Sequence, residues 1–292
     1  MARDETTGVF TFTFWGTRGS IPTPGPSTVR YGGNTPCVEV RTPDGALVIL
    51  DAGTGIRALG EALMRRAPSH PIAGDIFLSH AHWDHIQGLP FFAPLYESGN
   101  RFRIWSDSDA AAEIERAVRV QMSSRVFPVR FDDLEATMEF RALDGTHSTA
   151  SYIIDTLPVR HPGGALGFSL LAPGDLHPRL VYIPDNELAA AAAYDGPADW
   201  RESLVQFASG ARVLVHDATF TAAEYESHRG WGHSRYQDAL ALALDARVER
   251  LVLFHHSPER TDDDLDSAIT ALRRSAPSLE IVAATEGLVI RG

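Results

Sequence analysis

The stretch LSHAHWDHIQGL, residues 78 to 89, puts His80, His82, Asp84 and His85 into six consecutive positions directly after an apolar run. A single histidine or aspartate is an ordinary surface residue and constrains nothing. Here Asp75 is followed by Ile76, Phe77 and Leu78, which read as a buried strand, and Ile86, Leu89 and Phe92 then recur at helical spacing. The cluster therefore stands at the carboxyl end of a strand with a helix expected behind it, where α/β folds place ligands. Imidazole nitrogens and a carboxylate converging at such a junction form a donor set that zinc or a similar cation takes. Any fold for this chain must gather those groups at one strand end.

The rest of the chain supplies strands and helices with no linker between them. VFTFTFWG alternates as a strand does, CVEVRTPDGALVILDAG reads as two strands around a Pro-Asp-Gly turn, and GIRALGEALMRR reads as a helix. SDAAAEIERAVRVQM is a second helix, and SYIIDTLPVRH, ALGFSLLAP and RLVYIPD are three strands bounded by Gly, Pro or Asp. ARVLVHDATF is a further strand, HSRYQDALALALDA a helix, RVERLVLFHH a strand, Asp263 to Arg274 a helix, and EIVAATEGLVI one closing strand. The run ELAAAAAYDG reads as an alanine-rich helix start, and TDDDLD as a helix N-terminus whose carboxylates face the dipole. Two halves, each of strands flanked by helices, suit an α/β chain folded as a four-layer α/β/β/α sandwich, with 1–292 as a single domain.

Other strand ends repeat the first pattern. His161 in LPVRHPGG, Asp185 in LVYIPDNE, and His255 with His256 in LVLFHHSP each close an apolar run. One such residue alone is a turn residue. Four separate strands ending this way is what convergence on a metal centre predicts and turn preference does not.

With these residues in place the sequence resembles the metallo-β-lactamase superfamily from about Phe14 to the C-terminus. The H-x-H-x-D-H core carries the resemblance, and the later His, Asp and His arrive in the family's order. The resemblance implies that His80, His82 and His161 bind one metal, that Asp84, His85 and His255 bind a second, and that Asp185 bridges them. It prefers His255 to His256 because the family places the ligand first after the strand, and side-chain alternation lets only one of the two face the site. Asp51 in VILDAGTGI matches an early-strand aspartate that orients ligand histidines; read alone, it is equally a turn-forming residue before Gly53. Two divalent ions are implied, zinc first, although the same ligands accept manganese or iron.

The resemblance narrows toward the ribonuclease Z-like and small phosphodiesterase branch. FWGTRGSIPTP looks like that branch's opening loop, HDATF at 216–220 like its HEAT motif with Asp for Glu, and GHS at 232–234 like its histidine loop. Asp217 and His233 would then pair, so that the imidazole donates a proton to a leaving oxygen or stabilises phosphoryl charge. Read without the family, His233 begins a helix capped by Ser234 or a neighbour, and His216 is structural. The mechanism implied is attack on phosphorus by a metal-bridging hydroxide steadied by Asp84, with His233 assisting departure of the alkoxide and no covalent enzyme intermediate.

Composition enters on the question of substrate. Lys plus Arg is 26 against 38 Asp plus Glu, a net charge of −12, which opposes a long polyanion. Residues 162–184, between His161 and Asp185, number only 23, too few for the long tRNA-gripping arm that many ribonuclease Z members insert there. The HEAT glutamate is an aspartate and the histidine loop runs on to Arg235. Together these favour a small-molecule phosphodiester, first a cyclic nucleotide, over precursor tRNA. A ribonuclease Z-like RNA endonuclease is the alternative, and it would need a basic face or a partner. A lactonase, thioesterase or β-lactamase would use the same metals but leave the Asp217 and His233 pair without an alkoxide to serve. A non-enzymatic binding protein ranks last. The start MARDETTGVF lacks a signal-peptide core and no run reaches membrane-span length, so the reading is a cytoplasmic protein without membrane contact, for which a homodimer is admissible. The lone Cys37 excludes an intrachain disulfide framework and reads as a packing or surface thiol.

Overall fold

A computed structural model describes residues 9–67, 70–189, 194 and 197–292. The first eight residues and most of the ELAAAAAYDG run lie outside the described residues. Contacts divide the chain into two compact units, one of residues up to Pro22 with Asn34–Asp144 and Glu286–Arg291, the other of Thr23–Gly33 with Gly145–Thr285.

The first unit is built on seven strands, β1 Thr11–Gly16, β2 Cys37–Arg41, β3 Leu47–Leu50, β4 Ala73–Phe77, β5 Arg101–Asp107, β6 Thr137–Leu143 and β14 Val289–Arg291. Their order is β14-β1-β2-β3-β4-β5-β6. The hairpin strands β1 to β3 are antiparallel, whereas β3 to β6 run parallel. Helix α1, Gly55–Arg66, buries Ile56, Leu59 and Leu63, three positions at helical spacing, against a core that includes Ile49 and Ile76. Helix α3, Ala111–Gln121, buries Ile114 and Val118 in the same core. Cys37 is fully buried there, so the thiol packs.

The helix expected behind the histidine motif is short. Helix α2 spans only Trp83–Ile86, and two 3₁₀ turns follow with Pro90 and Pro94 in their second positions. Proline lacks the N–H that would continue an α-helix, so the apolar spacing is met by successive turns.

The second unit holds β7 Thr146–Ser148, β8 Ile153–Val159, β9 Ala165–Leu171, β10 Leu180–Ile183, β11 Val213–Asp217, β12 Arg250–Phe254 and β13 Glu280–Ala283. They are ordered β13-β12-β11-β10-β9-β8-β7, with β10 to β13 parallel and β7 to β10 antiparallel. Its helices are α4 Trp200–Phe207, α5 Ala222–Tyr225, α6 Tyr236–Asp245 and α7 Asp262–Ser275. The apolar faces of α4, α6 and α7 enter one core with Val181, Leu214 and Leu251 of the sheet. Helix α7 opens on a Thr261 capping box with Asp264, as a helix N-terminus reading of TDDDLD requires.

The single closing strand expected over EIVAATEGLVI is two strands in different sheets. Strand β13 pairs with β12 and β14 with β1. Gly287 at φ 83° lets the chain turn between them, in a backbone region that side chains disfavour. The sequence pattern does not mark strands β5, β6 and β7 or helices α4 and α5. Among the described residues no helix is long and apolar enough to cross a membrane.

Candidate metal centre

Strands β3 and β4 are parallel neighbours, so the loops that leave them emerge at one sheet edge. Asp51 follows β3 in the left-handed region at φ 60°, a conformation in which Asp is several-fold enriched. Its carboxylate is fully buried and reaches the loop after β4: Oδ1 accepts from the Ser79 amide at 2.8 Å, Oδ2 from the Ser79 hydroxyl at 2.9 Å, and Oδ2 pairs with His85 Nδ1 at 2.8 Å. A carboxylate can only accept, so it draws the His85 proton onto Nδ1 and leaves Nε2 as the donor for a metal. His80 Nδ1 lies 3.0 Å from the Ser79 hydroxyl, which sets Nε2 to the same use.

The His80 ring stands 4.5 Å from that of His82 and 4.3 Å from that of His85. Asp84 Oδ2 accepts from the Ser20 amide at 2.7 Å and lies 3.4 Å from His85 Nε2. Ser20 itself is at φ 63° within the opening glycine-containing loop. That loop's backbone thus holds one of the candidate ligands.

In the second unit β8 runs in the direction of β10, since each is antiparallel to β9. Strands β8, β10, β11 and β12 therefore end at the same edge, and they deliver His161, Asp185, Asp217 and His255. Asp185 is buried and offers one oxygen to each side, with Oδ2 3.6 Å from His161 Nε2 and Oδ1 3.3 Å from His255 Nε2. The other nitrogens are engaged, His161 Nδ1 with the Gly232 carbonyl at 3.0 Å and His255 Nδ1 with the Thr219 hydroxyl at 3.3 Å. His255 takes φ 56° immediately after β12, which turns its ring toward Asp185. His256 points elsewhere: its Nε2 meets the Ala284 carbonyl at 2.9 Å and its ring packs edge-on against Tyr31.

His233 and Asp217 meet in this unit. His233 Nδ1 lies 2.9 Å from Asp217 Oδ2, and Asp217 Oδ1 accepts from the amide and hydroxyl of Thr219 at 3.0 and 2.7 Å. The His233 ring stacks on His255 at 4.8 Å, and donor atoms of Asp185, His233 and His255 lie within 4.8 Å of one another. His233 precedes α6 without belonging to it, and the Arg235 N-cap uses no side-chain cap, so the residue is not a helix start. His216 is wholly buried between the Asp217 carbonyl and the Asn186 amide, and burial pushes its pKa down, as befits a structural neutral imidazole. His228 packs on Phe220 with Nδ1 on the Glu224 carbonyl.

The donors suit a divalent cation. Ligands about 2.1 Å from a tetrahedral ion are about 3.4 Å apart, and the carboxylate-to-imidazole separations inside each unit are 3.3 to 3.6 Å. Four of the imidazoles also have Nδ1 held by the protein, the arrangement that fixes the metal-binding tautomer. Ser79, Ser20 and Thr219, which sequence reasoning does not single out, orient these candidate ligands. Ser79 lies beside the motif and could have been found there, but a contact from the Ser20 backbone has no residue-type signal. If Asp51 orients His85 for metal, Asp51→Ala should weaken metal binding by about 10–100-fold, measured by competition with a chromogenic chelator. Unchanged affinity would leave Asp51 a turn residue.

Comparison with known proteins bears on the family and the fold. Residues 47–256 match the family model described as a beta-lactamase superfamily domain. A ribonuclease Z of Thermoplasma acidophilum is 27% identical over 284 residues, covering 85% of this chain and 87% of its own length. A ribonuclease Z of Haloarcula marismortui is 27% identical over 312 residues, covering 94% of each. Among solved structures, the metallo-beta-lactamase fold protein YhfI from Bacillus subtilis superposes with a TM-score of 0.68 at 19% identity, covering 98% of this chain and all of its own. The fold class is therefore α/β, the metallo-β-lactamase fold with two mixed sheets and their helices.

Proposed function

The chain belongs to the beta-lactamase superfamily as a metal-dependent hydrolase, and from that premise we propose that it cleaves phosphodiesters, with RNA as substrate in the manner of a ribonuclease Z. The observation that carries this reading is the His233 and Asp217 pair standing beside Asp185 and His255, a proton donor next to candidate metal ligands. The ranking of substrates departs from the one that composition favours. Relatives matched over 85 to 94% of the chain bear the ribonuclease Z name, which supports RNA above a cyclic nucleotide.

In this reading, as the family resemblance implies, two divalent ions would be held, one by His80, His82 and His161 and one by Asp84, His85 and His255, with Asp185 as the residue that would serve both. Asp185 offering one oxygen toward each of two histidines supports the shared role. Bound metal would supply Lewis-acid polarisation of a phosphoryl oxygen and an acidified water. Around it, Asp51 and Ser79 keep His85 and His80 in register and the Ser20 amide holds Asp84. Asp217 accepts from His233 Nδ1, and when the ring is protonated on both nitrogens Nε2 carries the proton offered to the departing oxygen. Residues 1–292 act as one hydrolase domain, placed in the cytoplasm and compatible with a homodimer. Zinc ranks ahead of manganese or iron.

A second reading, hydrolysis of a small phosphodiester such as a cyclic nucleotide, is favoured by the net charge of −12 and by the 23 residues of the segment 162–184. One experiment ranks the two. Metal-loaded protein is offered a 3′-extended precursor tRNA and 3′,5′-cyclic mononucleotides, with nitrocefin and a lactone as acyl controls. Cleavage of the RNA that weakens steeply with salt is expected. Turnover of cyclic nucleotides with intact RNA would reverse the ranking, and turnover of the acyl substrates alone would replace phosphorus with carbon as the site of attack.

A further inference from the structure

Glu187, two residues after Asp185, is a fully buried carboxylate on which four donors converge. Its Oε1 accepts from the Tyr225 hydroxyl at 2.6 Å and the Gly230 amide at 2.9 Å, and its Oε2 from the Tyr194 hydroxyl and the Gly232 amide, both at 2.9 Å. An ionised carboxylate has about four lone-pair sites, and here each is matched by a donor. Burial, reinforced by this carboxylate, pushes the Tyr194 and Tyr225 phenols well up, so both remain donors. Burying an ionised carboxylate is expensive unless such bonds compensate it.

Two of the four donors belong to the loop that carries His233, and one leads directly to a ligand. The carbonyl of Gly232, whose amide Glu187 holds, meets His161 Nδ1 at 3.0 Å. Gly232 sits at φ 86°, and a Cβ on it would lie 2.1 Å from His161 Nδ1, so the loop backbone is pressed against that imidazole. One position past His233, the Ser234 hydroxyl donates to the Asn186 carbonyl at 2.5 Å and accepts from the Leu188 amide at 3.1 Å. The loop is thus stitched to the segment that follows Asp185 on both sides of His233.

We propose that Glu187 is a positioning residue, which fixes the Gly230 to Ser234 loop so that the Gly232 carbonyl aims His161 Nε2 at metal and His233 is held beside Asp217. The idea deepens the phosphodiesterase reading and rests on it only for its kinetic consequence. Glu187→Gln keeps the shape but turns an NH2 group toward donors at one end, so the loop loses half of its anchor.

The test uses the full chain. In the metal-free protein, ¹H–¹⁵N NMR of histidine side chains should show a hydrogen-bonded His161 Nδ1–H, assigned through His161→Gln, and Glu187→Gln should abolish that signal. Zinc affinity should fall by about 10–100-fold, and the ratio of kcat on alkyl to kcat on aryl diesters should fall toward that of His233→Ala. A lower Tm with the His161 signal, zinc affinity and kcat ratio all unchanged would make Glu187 merely structural and overturn the proposal. Should Glu187→Gln fail to fold, Glu187→Asp keeps the charge but withdraws it by one methylene, and is expected to weaken zinc binding and broaden the His161 signal. Wild-type values of both in Glu187→Asp would overturn the proposal equally. A wild-type protein that hydrolyses no diester would defeat the phosphodiesterase reading, while the His161 signal still decides Glu187.

Discussion

Asp185→Ala is expected to yield a folded protein that retains less metal than wild type and has lost diester hydrolysis by about 10³-fold or more, since the Lewis-acid contribution is several kcal/mol and each ~1.4 kcal/mol is tenfold. The side chain is 2% exposed and lies 3.6 Å from His161 Nε2 and 3.3 Å from His255 Nε2, so its removal takes one candidate ligand from between two others. Elemental analysis of wild type should give about two divalent ions per chain, as in two-metal hydrolases, and the substitution should lower that number. A chelator should reproduce the loss in wild type, and adding back zinc, manganese or iron in turn identifies which ions restore turnover. Well-folded wild-type protein that is active with one ion or none would sink the two-ion centre, and a fully active Asp185→Ala would remove Asp185 from it. Asp84→Ala should behave alike, because its carboxylate is held in place by the Ser20 amide at 2.7 Å and adjoins His85.

The second large effect concerns His233. If Nε2 gives a proton to the leaving oxygen, His233→Ala should lower kcat on alkyl diesters by about 10²–10⁴-fold, the usual range for general acid catalysis. A p-nitrophenolate departs without needing that proton, so the loss on bis-p-nitrophenyl phosphate should be much smaller. The contrast matters because His233 lies close enough to Asp185 and His255 to be a ligand itself. Metal content unchanged by the substitution supports the acid, whereas metal lost along with activity on both substrates assigns His233 to the centre. Asp217→Ala should act in the same direction as His233→Ala, and the double mutant should be little worse than His233→Ala, since groups that work as one unit are non-additive. Equal losses on alkyl and aryl diesters with full metal content would leave phosphate positioning as the role.

Much of this arrangement is legible in the sequence. The strand that feeds His80 reads from Ile76 to Leu78 because a run of apolar residues bounded by polar ones has few other uses, and the strand ends at His161, Asp185 and His255 read the same way. The α1 helix was legible to its ends, since Ile56, Leu59 and Leu63 mark one face and the chain around it is not interrupted by proline. Beyond the histidine motif the same spacing misled, because Pro90 and Pro94 convert apolar periodicity into a series of turns. Strand β5 alternates buried residues with exposed or half-buried ones, yet its two exposed side chains are Arg101 and Arg103, which hide it among charged segments.

Local order thus decided which residues are candidate ligands, because metal chemistry restricts residue type and strands deliver side chains at their ends. The tertiary structure decided how those residues are used. The resemblance prefers His255 to His256, but the φ of 56° that turns the His255 ring toward Asp185 while His256 meets the Ala284 carbonyl is not recorded by two identical adjacent residues. Nothing in the composition marks Glu187 apart from any exposed glutamate; its role depends on four donors brought from residues 194, 225, 230 and 232 by packing. The physical reason is the same in each case. A ligand atom is specified by its own chemistry, which one letter of sequence records, whereas its orientation is specified by hydrogen bonds from groups distant in the chain, many of them backbone, which exist only once the strands and loops have closed on one another.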